Sequence, residues 1–180
     1  MEANSNMSFS CSSLPLNPIV QRAEVTYKQA EEDRDVFESH RHHIFSVAYY
    51  MTGDEREAEA ILGQTFIEAF RNHSKPKVQE LDEQLMRELS TRIDLEAVPA
   101  AVPDDCALGH RNVRRTDMEE ALWQLPGRER LCFLLRDVEN YPAERIALLL
   151  DMPVTEVRAT LLSAKIRLRQ ILAAQTSPSA

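Results

Sequence analysis

The stretch from Tyr141 to Leu172 constrains the fold most, because it holds two apolar repeats of helical spacing with a sharp break between them. Pro142 suits the first turn of a helix, and Asp151-Met152-Pro153 forms a tight turn. The apolar positions that recur at helical intervals are Ile146, Ala147 and Leu150 before the turn, and Val157, Leu161, Ala164, Leu168 and Ile171 after it. The pattern therefore predicts two short helices joined by a turn.

The rest of the chain has the same helical character. Glycine occurs only four times, and Leu, Ala, Glu and Arg are abundant, which favours helices. We predict an all-α protein with two small helical domains, residues 22–95 and 117–173, the second containing the helix-turn-helix. The linker, residues 96–116, contains Pro99 and Pro103, and the Ser/Asn/Pro-rich residues 1–20 are predicted to be a disordered tail.

Several classes of function find no support in the chain. Its cysteines are far apart and form no CxxC pair: Cys11, Cys106 and Cys132. On a helix, neighbouring histidines point in different directions, so His40, His42 and His43 predict a solvated face rather than a metal site. We find no phosphate loop and no nucleophile-base pair, and expect neither enzymatic activity nor a cofactor. No apolar run is long enough for a membrane span and no secretion signal is evident, so we expect a cytoplasmic protein without a membrane partner.

The charge is unevenly distributed along the chain. Residues 1–118 hold 21 acidic and 13 basic side chains, whereas residues 119–180 hold eight of each. From Met152 onward there are four basic side chains and one acidic one. Because nucleic-acid binding depends on neutralising phosphates, only the last helix has the sign that DNA requires. The periodicity alone leaves two alternatives open, a DNA-binding helix-turn-helix and a plain helical hairpin.

The segment "LPGRERLCFLLRDVENYPAERIALLLDMPVTEVRATLLSAKIRLR" resembles region 4 of the extracytoplasmic-function (ECF) sigma factors. The usual form of that region is close to LPxxxRxVFLLRxxEGxSYxEIAxxLGxPxGTVKSRLxRARxxLR. The matches fall in register without a gap, at Leu125-Pro126, Phe133-Leu134-Leu135-Arg136, Ile146-Ala147, Pro153 and Val157. The resemblance implies a sigma factor that directs RNA polymerase to promoters, with region 4 contacting the −35 element.

Upstream, "VFESHRHHIFSVAYYMTGDEREAEAILGQTFIEAFR" resembles region 2 of the same family, which contacts core polymerase and opens the −10 element. The family usually has DAED followed by a Gln-Glu pair, and this chain has Glu57-Ala58-Glu59-Ala60 and then Gly63-Gln64. The resemblance implies that Glu57, Glu59 and Gln64 contact the RNA polymerase core.

The resemblance also implies which side chains contact promoter DNA: Thr155, Glu156, Arg158, Thr160, Lys165 and Arg169. The family usually has Arg at the positions of Thr160 and Ser163. We therefore expect DNA binding by the isolated chain to be weak and sensitive to salt, since few phosphate contacts are available.

The last helix has a second apolar stripe, Ala159, Leu162 and Ile166, on nearly the opposite side from its core stripe. Burying Leu162 and Ile166 could contribute roughly 3 to 5 kcal/mol. We predict that this stripe is a protein interface, covered by the first domain folded back or by a separate chain.

A further amphipathic helix, predicted from the apolar spacing of Val78, Leu81, Leu85, Leu89 and Ile93, departs from the family. Between residues 77 and 96 there is no aromatic side chain, and the acidic ones are Glu80, Asp82, Glu83, Glu88, Asp94 and Glu96. Single-stranded DNA binds to aromatic and basic side chains, so this face should repel it and is predicted to be a solvated acidic face. The alternative function is thus a degenerate sigma-like regulator that acts through protein contacts without opening promoters. An anti-sigma factor is a further possible partner in both cases.

Overall fold

The computed structural model describes residues 18–96 and 114–176, with side chains described for 28–96 and 114–175. Every regular element in these residues is helical, which confirms the predicted all-α class. The helices are α1 (Pro18–Thr52), α2 (Glu55–Asn72), α3 (Val78–Arg92), α4 (Arg115–Trp123), α5 (Gly127–Phe133), α6 (Ala143–Leu149) and α7 (Val154–Thr176). A π-helical turn, Leu134–Val138, continues α5. The predicted disordered tail lies outside the described residues except for residues 18–20, which begin α1.

The sequence Thr52-Gly53-Asp54 ends one helix and begins the next. Gly53 has φ +74°, a left-handed conformation that favours glycine, and its N–H donates to the Tyr49 carbonyl at 2.7 Å. Asp54 then caps α2, because its carboxylate accepts a hydrogen bond of 2.9 Å from the Glu57 N–H. These three residues therefore end α1 and cap α2.

The described residues from 36 onward pack into one compact unit, and residues 18–35 of α1 belong to another. Within the larger unit we call residues 36–96 the N-terminal half and residues 114–176 the C-terminal half. The predicted linker, residues 96–116, lies mostly outside the described residues, and the predicted division into two domains stays a prediction. The described residues on its two sides nevertheless share one hydrophobic core.

That shared core brings together large side chains from both halves. The N-terminal half contributes Ile44, Met51, Ile61, Leu81, Leu85 and Leu89, and the C-terminal half contributes Leu131, Leu134, Leu135, Ile146 and Val157. Each is almost fully removed from solvent, and burial of one such side chain stabilises a fold by about 1.5 to 3 kcal/mol. A smaller cluster packs α4 against the second part of α7, through Ala121, Leu122 and Leu125 with Ala164, Leu168, Ile171 and Leu172.

Two glycines allow the halves to approach closely. A Cβ atom on Gly127, at the start of α5, would lie 2.9 Å from the Asp94 carbonyl oxygen just beyond α3. At the other end of the interface, a Cβ on Gly53 would lie 3.3 Å from the Trp123 ring. The same ring packs edge-on against Tyr49 with centroids 6.1 Å apart. The close packing of the two halves therefore requires glycine at these two positions, where a Cβ atom would crowd the opposite half.

Arg130 connects the two halves through backbone carbonyl groups. Its guanidinium donates to the Met51 carbonyl at 2.7 Å, in α1, and to the carbonyls of Trp123 at 2.6 Å and Leu125 at 2.9 Å. Burial lowers the pKa of Arg130. These three carbonyls lie at helix ends, where intrahelical partners are missing, so the guanidinium satisfies groups that burial would otherwise leave unpaired.

The structure corrects two predictions about polar faces. Asp82, predicted on the solvated face of α3, is only 1% exposed. His43, predicted on a solvated face of α1, is part-buried and faces Asp82. Both side chains point toward the C-terminal half, which periodicity within a single helix cannot reveal.

Candidate nucleic-acid interface

The predicted helix-turn-helix is formed by α6, a four-residue turn and α7. Tyr141-Pro142 leads into α6, whose first turn is closed by the Ile146 N–H donating to the Pro142 carbonyl at 3.2 Å. In the turn, Asp151 has φ +49°, and the Met152 N–H donates to the Ala147 carbonyl at 3.0 Å. Aspartate tolerates this left-handed conformation better than most residues, and the family pattern has glycine at this position.

The core stripe predicted for α7 is confirmed. Its members are all at most 9% exposed: Val157, Leu161, Ala164, Leu168 and Ile171. Of the predicted DNA-binding side chains, Thr155, Glu156, Arg158, Lys165 and Arg169 are exposed and Thr160 is half-buried. The predicted residues thus lie on one helix whose other side is fixed to the core, and that geometry suits a helix placed in a DNA groove.

Carboxylates of the C-terminal half pair with the cations of this helix. Arg158 lies 3.3 Å from a Glu144 oxygen on α6, and Lys165 lies 2.8 Å from an Asp137 oxygen on the π-helical turn. Both pairs are solvent-exposed, so each contributes little to stability. They reduce the positive potential that α7 offers to phosphates.

Glu129 of α5 forms hydrogen bonds with α7 beside Ser163, a position where the family usually has arginine. Its two carboxylate oxygens accept hydrogen bonds from the Ser163 hydroxyl at 2.8 Å and from Arg167 Nε at 3.0 Å. The Arg167 side chain consequently lies against α5 and is only 19% exposed. The exposed cations of α7 are therefore Arg158, Lys165 and Arg169.

The predicted protein-interface residues are open to solvent. Leu162 is 62% exposed, Ile166 is 52% exposed, and Ala159 beside them is exposed as well. The N-terminal half packs against α5, α6 and their connections and leaves this stripe uncovered. A protein partner for the stripe stays a prediction.

The predicted polymerase contacts lie on α2. Glu57 and Gln64 are seven residues apart and share a helix face, whereas Glu59 points elsewhere. Glu59 is exposed, and the other two are half-buried. Gln64 Nε2 donates to Glu68 at 3.1 Å, so Glu68 is a further acidic group on that face. The three predicted residues therefore do not form a single patch.

A polar cluster between the halves was missed by the sequence analysis. It consists of His43 on α1, Asp82 on α3, and Glu139, Tyr141 and Arg145 around the start of α6, and we call it the clasp. Tyr141 Oη donates to both Asp82 oxygens, at 2.9 and 3.1 Å, and Arg145 forms an ion pair with the same carboxylate. The Arg145 guanidinium also lies over the Tyr141 ring, 4.2 Å from its centroid. One buried carboxylate thus accepts hydrogen bonds from two side chains of the other half.

His43 completes the clasp from the N-terminal half. Its Nδ1 lies 2.7 Å from Glu139 Oε2 and its Nε2 lies 3.2 Å from Asp82 Oδ1. Burial alone would lower the pKa of His43, but the hydrogen bonds to Asp82 and Glu139 and their charges raise it to about 9. The clasp therefore holds two cations and two carboxylates at neutral pH, and its charges balance.

The chain is similar in sequence to known sigma factors. Residues 115–168 match the family model of Sigma-70, region 4. The ECF RNA polymerase sigma factor SigE of Mycolicibacterium smegmatis is 26% identical over 163 residues, which covers 81% of this chain and 63% of that protein. The chain thus spans less than two thirds of the length of that relative.

A solved structure shares the fold. The sigma factor RpoE of Bartonella quintana, crystallised with the anti-sigma factor NepR, superposes with a TM-score of 0.60 at 14% identity. The superposition covers 77% of this chain and 95% of that one, so it includes parts of both halves.

The helix-turn-helix lies within the residues that match sigma-70 region 4, and the fold around it is shared with a solved sigma factor structure. In sequence, the chain is similar to a member of the ECF sigma factor family, in agreement with the resemblance of its motifs. Members of this family are in general regulators and not enzymes. Within the described residues, no helix is both long and apolar enough to cross a membrane.

Proposed function

We propose that this chain is a sigma subunit that binds the RNA polymerase core in the cytoplasm and directs it to promoters. The observation that carries the proposal is α7: a helix in the register of sigma region 4, anchored by a buried stripe and exposing Arg158, Lys165 and Arg169. The relative SigE is named as an ECF sigma factor, which supports the same function.

In this proposal the C-terminal half contacts DNA mainly through phosphates. Three exposed cations, two of them paired with carboxylates, provide few counterion-releasing contacts. The slope of log affinity against log salt should therefore be shallow, on the order of −2 to −4. Specific promoter contact then depends on the polymerase holding both halves on the DNA.

The N-terminal half supplies the contact to polymerase in this proposal. Glu57, Gln64 and the neighbouring Glu68 present acidic and amide groups along one side of α2, which suits a basic surface on the polymerase. Glu59 extends this charge to an adjacent face.

The direct test combines capture and transcription. Purified chain is mixed with core polymerase and pooled genomic DNA fragments, and both bound polymerase and run-off transcripts are measured. We expect capture, and transcripts that begin at a shared set of sites. Changing Lys165 and Arg169 to Gln should reduce transcripts without reducing capture, and changing Glu57 and Gln64 to Lys should reduce both. Arg92→Gln, on the exposed part of α3, is the matched control. Absence of capture by the parent chain would contradict the proposal.

A second candidate is the sigma-like regulator that acts through protein contacts without opening promoters. Its support is α3, which is acidic, lacks aromatic residues and is engaged by the C-terminal half through Asp82. An anti-sigma factor is a partner in either case, and the likeness to a sigma factor crystallised with one supports this. Capture of polymerase without transcripts from any fragment would favour the regulator.

A further inference from the structure

The clasp lies away from the outer side of α7 and has no part in the contacts proposed for DNA or polymerase. Its ionic groups lie beside the apolar core that the two halves share. Buried ion pairs seldom stabilise a protein more than well-packed apolar residues would, but they require their partners in one defined position. An interface that includes them is therefore specific for a single arrangement of the two halves.

Arg145 distinguishes this chain from the general family pattern. In "SYxEIA" the family has glutamate at the position that Arg145 occupies in "PAERIA". A glutamate there would direct a carboxylate at the Asp82 carboxylate, and like charges in a buried site repel. The ion pair between α3 and α6 thus depends on a residue that departs from that pattern.

The packed halves are too close together for both promoter elements. The names of the −35 and −10 elements place them about 25 base pairs apart, which is roughly 85 Å of duplex at about 3.4 Å per base pair. A compact unit of this size has a radius of gyration of only about 15 Å. Simultaneous contact of the two halves with the two elements therefore requires that they separate.

We propose that the clasp holds this chain in a closed, inactive state, and that Asp82 must release Tyr141 and Arg145 before the chain can bind both promoter elements. The inhibitory part rests on the sigma function proposed above, whereas the closed state itself does not. Arg130, Gly127 and the shared core hold the same arrangement, and the clasp is the part of it that substitutions at Tyr141 and Arg145 weaken without changing the others.

A distance measurement tests the closed state without reference to transcription. Fluorescent labels are attached at Ser90→Cys on α3 and Glu120→Cys on α4, both exposed positions, with Cys11 and Cys106 changed to Ser. Cys132 is buried, and burial raises the pKa of its thiol to about 11, so it should stay unlabelled. The distance distribution between the labels is then recorded in the full chain.

Two variants weaken the clasp to different extents. Arg145→Glu should lower the closed-to-open ratio by roughly a hundredfold, and Tyr141→Phe, which removes only a hydroxyl, by roughly tenfold. Arg92→Glu makes the same charge change on the far part of α3 and should leave the distribution unchanged. In the capture and run-off assay, we expect more transcripts per bound polymerase from both clasp variants than from the parent.

The outcomes separate the two proposals. Folded clasp variants with the parent's distance distribution overturn the clasp. Longer distances without a gain in transcripts, from a parent that does transcribe, overturn its inhibitory role. If neither the parent nor any variant captures polymerase, the proposed sigma function fails and the inhibitory role fails with it, while the distances still decide whether the clasp closes the chain. Tyr141→Phe keeps the test decisive if Arg145→Glu does not fold.

Discussion

The two faces of the C-terminal half differ in how their polar groups are used. On the inner face, which packs against the N-terminal half, Arg130 donates three hydrogen bonds to carbonyls and Asp82 accepts from Tyr141 and Arg145. On the outer face of α7, Arg158 and Lys165 have single carboxylate partners in solvent. The polar groups of the inner face are buried and make several hydrogen bonds in one arrangement, whereas those of the outer face make single exposed ion pairs.

The same contrast holds for apolar side chains. Leu131 on the inner face is fully buried, whereas Leu162 on the outer face is 62% exposed. The difference shows that the C-terminal half packs one side against the N-terminal half and leaves the side of α7 that is predicted to bind DNA exposed. The outer side of α7 is therefore exposed while the two halves are packed together.

The largest expected effect comes from truncating matched leucines on the two faces. Leu131→Ala should lower the free energy of unfolding by about 3 kcal/mol, since it removes buried methyl groups and leaves a cavity. Leu162→Ala should change it by less than about 0.5 kcal/mol. Urea unfolding followed by circular dichroism measures both. A large loss from Leu162→Ala would show that the outer stripe is covered in solution, as by self-association.

Substituting alanine at two glycines, one crowded and one open to solvent, should change the stability in opposite directions. Gly127→Ala should destabilise the fold by about 2 kcal/mol, because its Cβ would lie 2.9 Å from the Asp94 carbonyl oxygen. Gly63 in α2 has nothing within 4 Å of such a Cβ, and Gly63→Ala should raise stability by about 0.5 to 1 kcal/mol. Thermal unfolding of both variants provides the measurement, and equal shifts would contradict the close approach of α5 to the end of α3.

The pH dependence of stability probes the clasp. Because the folded-state pKa of His43 is raised to about 9 from 6.5, its stabilising contribution is complete below pH 6.5 and is lost as pH rises through 9. We expect a loss on the order of 1 to 2 kcal/mol. His43→Gln should flatten the curve of unfolding free energy between pH 6.5 and 9.5. Parallel curves for parent and variant would show that the imidazolium is not held by Asp82 and Glu139.

The smallest expected effect on stability comes from the outer ion pairs. Asp137→Asn and Glu144→Gln together release Lys165 and Arg158 and should change the unfolding free energy by less than about 0.5 kcal/mol. Their effect should appear in DNA binding, as higher affinity with a steeper salt dependence, since two carboxylates leave the surface. Fluorescence anisotropy at several salt concentrations measures this. An unchanged affinity would mean that α7 does not contact phosphates.

Periodicity predicted those parts of the fold that depend on one helix at a time. The buried stripe of α7, from Val157 to Ile171, follows from spacing alone, and Gly53-Asp54 follows from local capping chemistry. Family resemblance added the register of the helix-turn-helix. These features are local, so the sequence that forms them is contiguous.

The clasp could not be predicted because its partners are far apart in sequence. Asp82 and Arg145 are 63 residues apart, and the carboxylates beside Asp82 on α3 look identical in the pattern. Which of them becomes buried depends on where α6 packs. The one indication in the sequence was Arg145, which stands where the family pattern has glutamate. It indicates an ion pair only when the structure shows Asp82 opposite.

Calorimetry tests most directly whether the two halves form one structural unit. Because they share a core that includes Ile44, Leu85, Leu131 and Ile146, residues 36–176 should unfold in one cooperative transition. The calorimetric enthalpy should then equal the van't Hoff enthalpy, and fluorescence of Trp123 in α4 should follow the same curve as the helical signal. Two separate transitions, with Trp123 reporting only one of them, would show that the halves are independent domains and would contradict the closed state.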